Sequence, residues 1–134
     1  MKFLLDTHVL LWWYLDVPKL PDQFKRLLDG TERAGEGIGV SIITLWEIAK
    51  LTVARKFMLS LSIDQWFREL EEDPLVHLLP LNGAIVLDST RLGGRFPNDP
   101  ADQLIAATAR TYGLSLMTVD GGIRESGVVR VADI

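Results

Sequence analysis

At 134 residues the chain has the length of one ordinary domain with a full hydrophobic core, and 48% hydrophobic against 24% charged residues excludes a disordered segment. Cysteine is absent and only His8 and His77 are histidines, which excludes disulfides, thiolate metal sites and a cysteine nucleophile and argues against a histidine-rich zinc centre; any metal would sit among oxygen ligands, as magnesium or manganese do. The net charge of −4 argues against a general nucleic-acid coat, although four acids committed to a metal site would leave the remainder neutral, and no run is apolar enough for a membrane span or a signal peptide, so a cytoplasmic protein with no membrane partner is expected.

The chain opens on Phe3-Leu4-Leu5, a short apolar strand that stops on Asp6. Val9 to Leu15 reads as an apolar helix ended by Asp16-Val17-Pro18, and a second helix starts at Pro21-Asp22 and ends at Asp29-Gly30. Ile38 to Ile42 is the second strand. Thr44 is expected to cap a helix from Leu45 to about Ala54; Lys56 to Leu61 is a connection, and Ser62 caps a helix through Glu72, which Asp73-Pro74 breaks. Val76 to Leu81 is the third strand and Asn82 to Leu92 a helix released by Gly93-Gly94. Asp99-Pro100 opens a helix to Tyr112, with Gly113 just past its end. Leu114 to Val119 is the fourth strand, stopping at Asp120-Gly121-Gly122, and Val128 to Val131 a short fifth. Helices separate nearly all the strands, and there is no repeat or linker. The expected fold is therefore one α/β domain over residues 1–134, three layers α/β/α around a mainly parallel sheet of about five strands.

Four acids fall where such a sheet presents its ligand-binding edge. Asp6 and Asp120 each follow a strand, and residues just past parallel strands project from the same carboxyl edge. Each also has a plain explanation as a cap or turn residue. Glu47 stands three residues after Thr44, the spacing of a capping box, yet its helix starts over the same edge. In Asp99-Pro100-Ala101-Asp102, one acid suits the cap; the second is surplus, and Asp102 shares a helix face with Ile105, Ala106 and Ala109. Carboxylates brought together repel and need a counter-ion. A divalent cation meets that need, and paired ions in such a site activate water and stabilise the leaving oxygen in phosphodiester hydrolysis. Thr7, Ser41 and Thr118 are hydroxyls at the same strand ends, able to orient a carboxylate or simply to cap. Asn98 and Asp99 lie beside the site, while His8 and His77 read as rim and strand residues.

Phe3-Leu4-Leu5-Asp6-Thr7-His8, Ser41-Ile42-Ile43-Thr44-Leu45-Trp46-Glu47-Ile48, Asn98-Asp99-Pro100-Ala101-Asp102-Gln103-Leu104-Ile105-Ala106-Ala107-Thr108-Ala109 and Leu116-Met117-Thr118-Val119-Asp120, in this order, resemble the PIN-domain family, and more narrowly the VapC-type toxins of bacterial or archaeal toxin–antitoxin pairs. The resemblance spans nearly the whole chain. It implies a magnesium- or manganese-dependent endoribonuclease held inactive by a cognate antitoxin, with Asp6, Glu47, Asp102 and Asp120 as the catalytic, metal-holding acids; a homodimer is also expected. Gln103 departs from the arginine common in the closest relatives, which puts one contact to the site or the RNA in doubt.

Lys50, Arg55 and Lys56 after Glu47, and Arg91 and Arg95 before Asp99, are either solvated charges or phosphate contacts. Val9, Leu11, Trp12, Trp13 and Tyr14, with Trp66 and Phe67, are either buried all round or a surface for a second copy or the antitoxin. Two other functions fit acids at strand ends. A receiver or phosphoryl-transfer domain would need a late lysine, and none follows Lys56. A binding module without catalysis would use the acids to receive a basic peptide.

Overall fold

Four short strands, β1 (Phe3–Leu5), β2 (Ile38–Ser41), β3 (Val76–Leu79) and β4 (Ser115–Met117), form a wholly parallel sheet in the order β3-β2-β1-β4. The computed structural model describes residues 1–55 and 60–134. Leu5 pairs with Val40 on one side and Met117 on the other, so β1 is central. Side chains alternate across a strand, and β1 shows it: Leu5 enters a core with Val9, Phe24, Ile48 and Trp66, and Leu4 enters one with Ile105, Ala106 and Leu116 on the opposite face. Helices α1 (Thr7–Tyr14), α2 (Asp22–Arg33), α3 (Ile42–Val53) and α4 (Ile63–Glu72) contribute to the first core. Helix α6 (Pro100–Tyr112) and α7 (Gly121–Ser126) contribute to the second, beside which lies α5 (Gly83–Ser89). Three layers follow from a sheet apolar on both faces. No helix is long and apolar enough to cross a membrane among the described residues.

The order of the strands matters for function. The chain steps outward from β1 to β2 to β3, then returns across the sheet to place β4 on the other side of β1. Neighbouring strands whose connections leave in opposite directions open a crevice at their carboxyl ends, here between β1 and β4. Helices in such a sheet run back antiparallel to the strands, so the N-termini of α1, α3, α6 and α7 all come to that edge.

Several elements differ from expectation: the helix expected from Asn82 to Leu92 is only Gly83–Ser89, β3 and β4 are shorter than expected, and others differ in kind. The expected fifth strand is a single parallel bridge, Val131 to Leu116. Gly127 (φ 70°) turns the chain out of α7, and the Arg124 guanidinium pins the tail by donating to the Thr118 and Ala132 carbonyls, both at 2.9 Å. Asp120-Gly121-Gly122 is accordingly more than a turn, because Asp120 starts α7. Helix α2 runs through Gly30 to Arg33, since its packed face outweighs the roughly 1 kcal/mol cost of an internal glycine. The bulky residues of α1 and α4 are largely taken up by the core: Trp66 is buried, and Trp12, Trp13, Tyr14 and Phe67 pack against it half-buried.

A further difference bears on the site. Helix α3 starts a turn early, with Ser41 as its cap accepting from the Ile43 amide at 3.2 Å. Thr44 is inside the helix, fully buried, and its hydroxyl has no partner among the described residues. No Thr44–Glu47 capping box forms, which releases Glu47. Ser41→Ala should cost about 1 kcal/mol of stability. Thr44→Val, which removes an unsatisfied buried hydroxyl, should be neutral or stabilising. Urea titration of the two variants separates the assignments, and a larger loss for Thr44→Val would reverse them.

Candidate active site

Three acids at the carboxyl edge are helix caps, and each caps through one oxygen. Asp6 Oδ1 accepts from the Val9 amide at 3.0 Å, Asp99 Oδ1 from Asp102 at 3.0 Å and Asp120 Oδ1 from Ile123 at 2.9 Å. Asp and Asn cap with a single carbonyl-type oxygen, so the cap and a second task for the same carboxyl are compatible. Asp6 is further located by its own amide, which donates to the Met117 carbonyl of β4 at 3.1 Å and ties the end of β1 to the end of β4.

Glu47 and Asp102 cap nothing. The Thr7 hydroxyl, buried at the start of α1, donates to Glu47 Oε1 and draws that carboxylate toward the end of β1. Asp102 occupies the first turn of α6 with Asp99 directly before it. Burial pushes the Asp102 carboxyl up to about 7, and the negative charges of Asp99, Glu47, Asp6 and Asp120 push in the same direction. Asp6 is raised by burial and, more weakly, by Asp120, against hydrogen bonds from Thr118 and Val9. Glu47 is raised by burial and by Asp99 and Asp6, against Thr7 and the nearby His8. Acids from four separate segments thus share one electrostatic neighbourhood. No lysine or arginine pairs with any of them among the described residues.

The donor set is what a hard divalent cation takes: carboxylate oxygens, with no sulfur and no histidine cage. Among the described residues no three of the acids stand close enough to enclose an ion as they are. Carboxylates brought together without a counter-ion repel, which keeps them apart until a cation is present. The chemistry therefore fits magnesium or manganese.

Of the hydroxyls, Thr7 holds Glu47, and Thr118 faces Asp6 while its oxygen accepts from the Asp120 amide at 3.1 Å. Ser41 is fully buried and spent on the α3 cap. Gln103 donates to the Pro97 carbonyl at 3.4 Å. Arg91 lines a separate cleft with Asp88 and Arg110, and Arg95 donates to the Glu125 carbonyl, so neither joins the acids. Lys56 lies outside the described residues. A cleft of about 440 Å³ beside Glu47 and Asp99 is lined instead by His8, Trp46 and Lys50. The sequence alone reads His8 as a rim residue and gives Trp46 no role; the available signal is that Trp46 and Lys50, four apart on one helix, share a face next to Glu47.

The model of the PIN domain matches residues 3–128. The chain belongs to the PIN-domain family. Within the family it is 31% identical over 121 residues to Ribonuclease VapC22 of Mycobacterium tuberculosis, covering 90% of this chain and 88% of that protein. Its PIN fold is similar to the crystal structure of FitAcB from Neisseria gonorrhoeae, with a TM-score of 0.69 and 25% identity over 98% of this chain and 97% of that one. The crystal structure of DNA-bound VapBC from Salmonella typhimurium also shares the fold, with a TM-score of 0.69 and 21% identity over 99% and 98%.

Proposed function

We propose that this PIN-domain chain is a magnesium- or manganese-dependent endoribonuclease, the toxin of a toxin–antitoxin pair, acting as a single domain over residues 1–134. The observation that carries the reading is the pressure of Asp6, Glu47, Asp99 and Asp120 on Asp102 with no lysine or arginine to relieve it among the described residues. The similarity to Ribonuclease VapC22 supports the substrate class, and the fold is shared with a toxin–antitoxin complex from Klebsiella pneumoniae, which fits a partner of that kind.

Asp6, Glu47, Asp102 and Asp120 would hold the ion, which when bound activates water and stabilises the leaving oxygen of a phosphodiester. The remaining work belongs to the chain. The β1–β4 backbone bond and the Val9 amide hold Asp6. Thr7 aims Glu47. Thr118 orients Asp6, and Asp99 keeps Asp102 avid for positive charge. The antitoxin masks this crevice. A second copy of the chain would pair with it, and exposed apolar side chains such as Val53 on α3 or Leu87 on α5, which lie in different layers, are available for such a contact. The chain acts in the cytoplasm, where its RNA is.

The test is cleavage of total RNA with manganese or magnesium, cut sites mapped, and a chelator-treated control. Cleavage that needs the ion is expected; none with either ion, or full cleavage in chelator, overturns the reading. Thr7→Val should lower the rate about 10- to 100-fold, as loss of an orienting bond to a metal ligand does, while Thr7→Ser keeps most of it. Equal rates for the two variants would remove Thr7 from the site.

A further inference from the structure

We infer that Trp46 is a stacking platform for a nucleobase next to the phosphate that is cut, with Lys50 holding the phosphate on the other side of that base. The inference rests on the ribonuclease reading above and deepens it.

Trp46 directly precedes Glu47 on α3, and large aromatic residues at a helix surface are usually turned inward. This one is not: it is 51% exposed, while Trp66 is 3%. It lines the cleft that Thr7, Glu47 and Asp99 share, which puts it beside two of the acids. One turn further along α3, Lys50 places its ammonium 4.2 Å from the Trp46 ring centroid. The cation lies against the ring, and half of the residue is still open to solvent. An exposed indole with a cation against it, at the mouth of an acidic crevice, matches the two demands of single-stranded RNA, a flat surface for a base and a positive charge for the backbone.

The crevice itself cannot attract RNA, since its acids repel phosphate until an ion is bound. Binding energy has to come from the rim. Among the described residues the cleft has Lys50 as its lysine and Trp46 as its indole, and His8 also lines it. Stacking tolerates any base, because every base has a π-face, so Trp46 would supply affinity and registration rather than sequence choice.

The test uses a fluorescein-labelled single-stranded RNA of about a dozen nucleotides spanning a mapped cut site. A second RNA has the base beside the cut phosphate removed, leaving an abasic ribose. Trp46→Ala should raise KM on the intact RNA roughly 5- to 150-fold, the range for loss of one stacked base, with a smaller change in kcat. Trp46→Phe should restore most of the loss. On the abasic RNA, wild type and Trp46→Ala should be alike. Anisotropy of the same RNAs on the Asp6→Asn protein, with and without the Trp46 change, should show the same pattern in affinity. Lys50→Gln should weaken both RNAs together and flatten the salt dependence. Unchanged KM for Trp46→Ala, or an equal penalty on intact and abasic RNA, overturns the inference while leaving the ribonuclease reading intact. A shift to monomer in light scattering with no abasic dependence assigns Trp46 to a contact between copies and also overturns it. Failure of wild type to cut any RNA overturns both.

Discussion

Asp6→Asn abolishes manganese-supported RNA cleavage, lowering the rate at least about a hundredfold, because removing even the outer partner of a metal ligand costs 10- to 100-fold. The substitution is informative because the fold should survive it. Asparagine caps a helix as well as aspartate, so the bond from the Val9 amide is kept. The link from the Asp6 amide to Met117 is backbone and is also kept. What is lost is one negative charge at the β1–β4 crevice. Circular dichroism and melting should be near wild type while cleavage disappears. Cleavage within a few-fold of wild type would show that Asp6 is a cap and no more, and would take the metal-dependent reading with it.

Without metal, Asp102→Asn should make the protein more stable above neutral pH, the reverse of most substitutions at a half-buried site. The Asp102 carboxyl has an ordinary value of 3.8 and is pushed up to about 7 in the fold by burial and by the four surrounding acids. The folded protein therefore holds a proton that the unfolded chain releases, between about pH 4 and 7. Wild-type stability falls as pH rises through that window and is level above it. The asparagine variant lacks this dependence. At pH 8 its advantage should be on the order of 1–2 kcal/mol after allowance for solvent screening, a few degrees in Tm. Manganese reverses the order, because it binds the ionised carboxyl: wild type should gain stability with manganese at pH 8 and the variant much less. By the same competition, wild-type manganese affinity should weaken as pH drops below about 7, which calorimetry at pH 6 and 8 reads directly. A variant less stable than wild type at pH 8 in chelator would mean that Asp102 serves the first turn of α6 and not an ion.

Much of this protein was legible in one dimension because its signals are local. Phe3-Leu4-Leu5 is too short and too apolar for anything but a buried strand, and Asp99-Pro100 with Gly113 brackets α6 from both ends. The alternation of helices and strands forced a parallel sheet, and a parallel sheet brings its strand ends to one edge. Strand direction alone puts Asp6 and Asp120 there, and the four ordered motifs point to the PIN-domain family.

What the sequence could not decide were choices between equally competent neighbours. Ser41 and Thr44 are both good caps; the burial of Thr44 where β2 meets α3 chose Ser41 and freed Glu47 for Thr7. Trp12, Trp13 and Trp46 are alike as letters, but α1 turns the first two against the core and α3 turns Trp46 to solvent beside the acids. Val128 to Val131 has the composition of a strand, but Gly127 and Arg124 leave it one bridge long. The sequence by itself determined the order of the elements from β1 to β4, the sheet type and the edge at which charge collects, since these follow from periodicity and chain direction. The tertiary structure alone decided which oxygen caps, which carboxyl is left over and which aromatic faces the cleft. Those depend on distances between segments 40 or more residues apart, such as Thr7 and Glu47, and no local pattern encodes them.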